Sequence, residues 1–266
     1  MTEPQALFQQ LVDIIAQLRR ECPWDRRQTK ESIRYLTIEE TYELSEAILN
    51  DDSAGIREEL GDLLMHTIFY AGIAADQGQF GIADVLRGQI EKLVRRHPHI
   101  YGPLRGADEA AIRANWEQIK AAEKAAKGKT DASALDGVPT GLPALIQAQR
   151  MQEKAAALGF DWDDAAGVWD KLEEELREFR EAEAHEEQEA EMGDLFFTLV
   201  NLCRHKGLNA EDALANANRK FKRRYQAIEQ LARADGRRLD QLGMAEMDRY
   251  WDAVKAQERA GYNGPV

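Results

Sequence analysis

Four times in this chain a pair of carboxylates three positions apart falls on the apolar side of a helical pattern: Glu40 with Glu43, Glu59 with Asp62, Glu175 with Glu178, and Glu191 with Asp194. At roughly 100° per residue, positions i and i+3 share a helix face. Ile33, Leu36, Leu44 and Ala47 surround the first pair on the wheel, and Ile56, Leu63, Tyr70 and Ile73 surround the second. In the second half, Val168, Leu172, Phe179 and Ala182 share the face of Glu175 and Glu178. Leu195, Thr198 and Leu202 share that of Glu191 and Asp194. A solvated acidic face would set its carboxylates opposite the apolar residues. Acids that point into a core must be neutralised, and a bound cation is the simplest means.

The pairs belong to a tandem repeat. IEETYEL (Ile38–Leu44) answers to EEELREF (Glu173–Phe179), and ELGDLLMHTIF (Glu59–Phe69) to EMGDLFFTLVN (Glu191–Asn201). EKLVRRH (Glu91–His97) answers to RKFKRRY (Arg219–Tyr225), and WEQIKAAE (Trp116–Glu123) to WDAVKAQE (Trp251–Glu258). Four blocks in the same order divide the chain into modules at 1–126 and 144–266. The intervening 127–143, rich in Gly, Pro, Ser and Thr, reads as a linker.

Amphipathic patterns predict helices over Gln5–Arg20, through each acid-bearing segment, over Ile82–Arg96 and over Ala144–Leu158. Pro23 stops the first, Asp108 and Asn209 are candidate caps, and His97-Pro98-His99 reads as a loop rather than a zinc site. The acidic run Glu181–Glu191 leaves the start of the last acid-bearing helix ambiguous. With only seven prolines and few β-branched runs, the chain is expected to be all-α. A net charge of −13 argues against wrapping DNA or RNA. Two cysteines, the absence of a basic and apolar leader at the N-terminus, and no run of about 18 apolar residues point to a cytoplasmic protein away from membranes.

An all-carboxylate site suits Mg²⁺ or Mn²⁺, and magnesium keeps part of its coordination for substrate phosphates. Lys220, Arg223 and Arg224 (in the first module Lys92, Arg95 and Arg96) can then grip phosphoryl oxygens that the metal does not reach. A tryptophan nearby could stack on a base. Together these parts imply metal-assisted hydrolysis of a phosphoanhydride. His66 and His205 lie on the acid-bearing faces, where a satisfied core histidine is the ordinary expectation. Gly61 and Gly193, inside helices, suggest close packing beside the acids.

With CPWDRRQT (Cys22–Thr29), EExxE with ExxD (Glu39–Asp62), LVRRHPHIYG (Leu93–Gly102) and GFDW (Gly159–Trp162) before the second acid set, the chain resembles the MazG family of nucleoside triphosphate pyrophosphohydrolases. The resemblance spans nearly the whole sequence. It implies an all-α tandem of two antiparallel helical bundles, Mg²⁺ dependence, cleavage of NTPs and dNTPs to NMP and pyrophosphate, and a homodimer. By the family pattern Glu175, Glu178, Glu191 and Asp194 would ligate the metal. Lys220 and Arg224 would hold phosphates, Trp251 would lie near the nucleotide, and Lys171 would assist on the Glu175 face. The resemblance gives the second module the main catalytic role. The first nevertheless keeps Glu40, Glu43, Glu59, Asp62, Lys92, Arg96 and Trp116. One difference is Asn218, a polar neighbour of the phosphate grip that is Ile90 in the first module. The alternative from another class is a helical regulatory protein that binds nucleotides without turning them over. A di-iron bundle is disfavoured, since no ExxH pair occurs.

Overall fold

A computed structural model describes residues 2–102 and 133–261, with positions 108, 112, 115, 119 and 123 between them. Trp116 and most of the linker's first half lie outside the described residues. The chain divides into two compact units, Met1–Thr130 and Asp131–Val266. That division falls inside 127–143. Every described element is helical: among the described residues there is no strand.

The first unit comprises α1 (Glu3–Glu21), α2 (Lys30–Leu49), α3 (Ser53–Asp76), α4 (Ile82–Arg96) and the single turn α5 (Pro98–Tyr101). Local chemistry sets the ends. Thr29 caps α2 reciprocally with Ser32, and the Asp52 carboxylate accepts from the amides of Ala54 and Gly55 to start α3. Only Asn50–Asp52 joins α2 to α3, so the two run back against each other, with α1 and α4 also packed on α3. Ile15, Ile33, Ile68, Phe69 and Ile73 form the core between α1, α2 and α3. The His97-Pro98-His99 stretch is not a loop: it begins α5, with Pro98 at the first helical position, where its missing N–H has no bond to forfeit.

The second unit comprises α6 (Ala144–Ala156), α7 (Ala165–Glu181), α8 (His185–His205), α9 (Ala210–Ala234) and α10 (Met244–Gly261). α7 pairs with α8, α6 packs on α8 and α9, and α9 pairs with α10. Val168, Leu172, Leu195, Val200, Ile228 and Ala232 are buried among them. The acidic run resolves into the end of α7, a short break, and the first turns of α8. There Glu186 and Glu187 face the positive helix N-terminus. Asn209 caps α9 by accepting from the Asp212 amide. Among the described residues no helix is long and apolar enough to cross a membrane.

Gly61 and Gly193 do not serve close packing within the chain. A Cβ at either would meet nothing within 4 Å among the described residues. Leu60, Leu64, Phe196 and Phe197, beside them in sequence, are exposed.

Candidate metal and phosphate site

In the second unit, α7 brings Glu175 and Glu178 together with Glu191 of α8. One carboxylate oxygen from each lies within 4.8 Å of the others. Asp194 is not part of this focus and is exposed, so the predicted tetrad is a triad with a fourth acid nearby. Glu175 is 3% exposed. Its Oε1 pairs with Lys171 Nζ at 2.6 Å, while Oε2 is buried without a hydrogen-bond partner among the described residues. Lys171 also reaches Glu174 at 2.9 Å, and the two carboxylates hold its ammonium above the usual lysine range. Burial, and then the negative charges of Glu178, Glu175 and Asp194, push the Glu191 carboxyl up.

The first unit repeats this with Glu40 and Glu43 of α2 and Glu59 of α3, again with oxygens within 4.8 Å. Asp62 lies outside the three-oxygen focus and near enough to act on it electrostatically. Burial, followed by Glu59, Asp62 and Glu43, pushes the half-buried Glu40 carboxyl from 4.5 up to about 7. His66 is buried with Nδ1 unpartnered, so it is not a satisfied core histidine. Burial lowers its pKa against the pull of Asp62.

A pH dependence follows for the metal-free protein. Glu40 holds its proton in the folded state up to about 7, whereas its ordinary value is 4.5. The folded state therefore binds more protons between these values, and stability falls as pH rises across that window. In EDTA the first unit should melt lower at pH 7.5 than at pH 5, and a divalent cation should flatten the slope. Melting curves of Glu40→Gln, which should lose this fall with pH in the absence of metal, check the assignment.

The basic residues are organised by two glutamates absent from the sequence-derived site. Arg223 and Arg224, on α9, both donate to Glu258 of α10, with Nη2 contacts of 2.9 and 2.8 Å. The Arg224 guanidinium sits 5.6 Å from the Trp251 ring, and the Phe221 ring lies 5.5 Å from the same tryptophan. Asn218 and Lys220 are exposed on α9. In the first unit Lys92 is half-buried on α4, and Arg95 and Arg96 share Glu123. A signal existed: both glutamates stand seven residues after the matched tryptophans, two helical turns along the same face.

His205 closes a separate network. Its Nε2 lies 3.1 Å from Asp161 of the GFDW segment, and Arg204 donates to Asp161 and to buried Asn201. Arg204, and then His205, holds the Asp161 carboxyl down at about 2. The network ties the GFDW loop to the end of α8.

The donor set fits a hard divalent cation. Three converging carboxylates repel one another, and a buried carboxylate oxygen with no donor is costly to keep unpaired. An ion there satisfies both conditions.

Comparison with known proteins bears on this geometry. Residues 28–101 match the family model of the MazG nucleotide pyrophosphohydrolase domain, and residues 147–221 match that of phosphoribosyl-ATP pyrophosphohydrolase. The chain is 44% identical over 257 residues to the nucleoside triphosphate pyrophosphohydrolase/pyrophosphatase MazG of Thermotoga maritima, covering 96% of this chain and 98% of that protein. It is 43% identical over 242 residues to the nucleoside triphosphate pyrophosphohydrolase of Escherichia coli strain K12, covering 89% and 91%. With carboxylate triads in both halves and similarity running through both, the chain belongs to the MazG family of nucleoside triphosphate pyrophosphohydrolases.

Proposed function

We propose that this protein hydrolyses nucleoside triphosphates, ribose and deoxyribose forms alike, to the monophosphate and pyrophosphate in a Mg²⁺-dependent reaction that clears the nucleotide pool. The observation that carries the reading is the convergence of Glu175, Glu178 and Glu191, together with a buried oxygen on Glu175 that has no partner among the described residues. These three residues would hold the ion, with exposed Asp194 reaching it through its own side chain or through water. Mg²⁺, or Mn²⁺ in its place, supplies charge neutralisation and Lewis-acid polarisation of the phosphoryl group when bound.

The chain's own groups do the rest. Lys171 fixes the Glu175 carboxylate on one side and leaves its second oxygen free to ligate. Lys220, Arg223 and Arg224 receive phosphate oxygens, Trp251 offers its ring to the nucleoside, and Asn218 adds a hydrogen-bonding group beside the grip. Water attacks the α-phosphorus, the α–β anhydride bond breaks, and pyrophosphate leaves with the electron pair.

The second unit is the main engine in this reading, and the first is a related site built on Glu40, Glu43 and Glu59 with Asp62, Lys92, Arg96 and Trp116. The open faces at Gly61 and Gly193, with exposed leucines and phenylalanines beside them, support a homodimer in which a second copy covers them. Light scattering of the purified protein should give twice the chain mass. Two free cysteines, Cys22 and Cys203, suit a reducing cytoplasm.

Incubation with a panel of dNTPs and Mg²⁺ should yield monophosphate and pyrophosphate in equal amounts. Diphosphate and orthophosphate would overturn the cleavage position.

A further inference from the structure

Beyond the metal ligands and the phosphate-gripping cations, we infer that Glu258 is a positioning residue, which holds Arg224 and Arg223 pre-aligned for a polyphosphate chain. The inference rests on the proposed phosphate role of those arginines and assigns a new role to a residue outside it. Both guanidinium groups offer Glu258 the same edge. Arg224 donates through Nε and Nη2 at 2.9 and 2.8 Å to one oxygen, and Arg223 through Nε and Nη2 at 3.3 and 2.9 Å to the other. Among the described residues no hydrogen bond uses Nη1 of either arginine. The outward edge of each fork therefore stays available for an incoming anion, with its orientation already fixed.

Four further observations point the same way. Arg224 is 21% and Glu258 29% exposed in their side chains, sheltered enough for the pair to keep one geometry. The guanidinium rests against Trp251, so Glu258 also holds the cation at the ring proposed to face the nucleoside. Arg223, Arg224 and Glu258 line an open cavity of about 550 Å³ with Lys255, Arg259 and Gly261. Four cations against one carboxylate make it locally basic in a chain of net charge −13. The first unit repeats the device, with Glu123 receiving the Nε and Nη2 groups of both Arg95 and Arg96.

Arginine carries large rotamer entropy, and a planar fork fixed before binding loses less of it per bond formed. The opposite role, a carboxylate occupying the arginines in competition with phosphate, would tie up the outward edges, and these are unused. Arg224 needs both an orientation and a residual charge, and one carboxylate shared between two guanidinium groups leaves a net positive charge on the trio.

The test compares E258Q, E258D, R224A and the E258Q/R224A double variant with the parent chain. Steady-state kinetics use a dNTP with Mg²⁺, and calorimetry measures binding of inorganic tripolyphosphate. E258Q should raise KM and weaken tripolyphosphate about tenfold with kcat within about twofold, equivalent to ~1.4 kcal/mol. E258D, which keeps the charge on a shorter arm, should fall between. In the R224A background E258Q should add little, because it acts through that arginine. A KM for folded E258Q that is unchanged or lower overturns the positioning role, as does a rise that persists undiminished without Arg224. Should R224A alone leave KM and tripolyphosphate affinity untouched, the phosphate reading of the arginines fails first, and the inference with it.

Discussion

Glu175→Gln is expected to lower turnover by at least about a hundredfold while leaving the second unit folded. Even residues that only support a metal ligand cost ten- to a hundredfold when changed, and Glu175 offers the buried oxygen that has no other partner. Glutamine keeps the shape and removes the charge, so metal affinity suffers and packing does not. Thermal shift gives an independent readout. An ion that binds only the folded state raises the melting temperature with its concentration, so Mg²⁺ should stabilise the parent chain and largely fail to stabilise the second unit of the variant. Glu40→Gln provides the contrast between units. If it abolishes turnover and Glu175→Gln does not, the first unit is the engine and the proposed assignment is reversed. If neither variant changes turnover or the metal response, the triads are structural.

The largest stability effect is expected at Phe69. It is 6% exposed, packs with Ile15, Ile33, Ile68 and Ile73, and lies 5.0 Å beneath the guanidinium of Arg19. That arginine is itself 9% exposed and pairs with Asp76 at 2.6 Å. Truncating a core phenylalanine to alanine costs about 3–5 kcal/mol in lost transfer energy and residual cavity. The cation–π contact adds on the order of 1–2 kcal/mol because Arg19 is largely desolvated. Against a total stability of roughly 5–15 kcal/mol for a domain, Phe69→Ala should bring the first unit close to unfolding. Hydrogen exchange followed by mass spectrometry should show core amides of α1, α2 and α3 exchanging on the order of a hundredfold faster or more. A change under tenfold would mean that the core collapses around the gap, and that α1 is held by something other than this contact.

Much of the fold could be read from the chain because its determinants are local. The start of α9 follows from Asn209, a cap legible in the sequence, whose side chain bonds an amide three residues on; Thr29, Asp52 and Asp164 start their helices by the same local chemistry. The duplication was visible as ordered blocks, and placing acids on apolar faces needed only the helical period. One small difference is local too. His97-Pro98-His99 ends α4 at Arg96, yet it is not a loop, because proline at a first helical position also begins a new turn.

Periodicity has its limit at the second contact. A wheel puts Asp194 beside Glu191, yet Asp194 lies outside the focus and is exposed. Only the packing of a neighbouring helix selects which acids converge. The partnership of Arg224 with Glu258 spans 34 positions, and that of Arg204 with Asp161 spans 43. The repeated spacing marks Glu258 as a matched position, but it does not say which distant arginine the glutamate meets. Helices, repeat and candidate ligands were therefore determined by the amino-acid order alone, since hydrogen-bond periodicity and capping act within a few residues. The composition of the triads, the pairing of the arginines and the partnerless oxygen of Glu175 were decided by tertiary structure. Burial and charge at each of those groups depend on what a distant helix brings alongside.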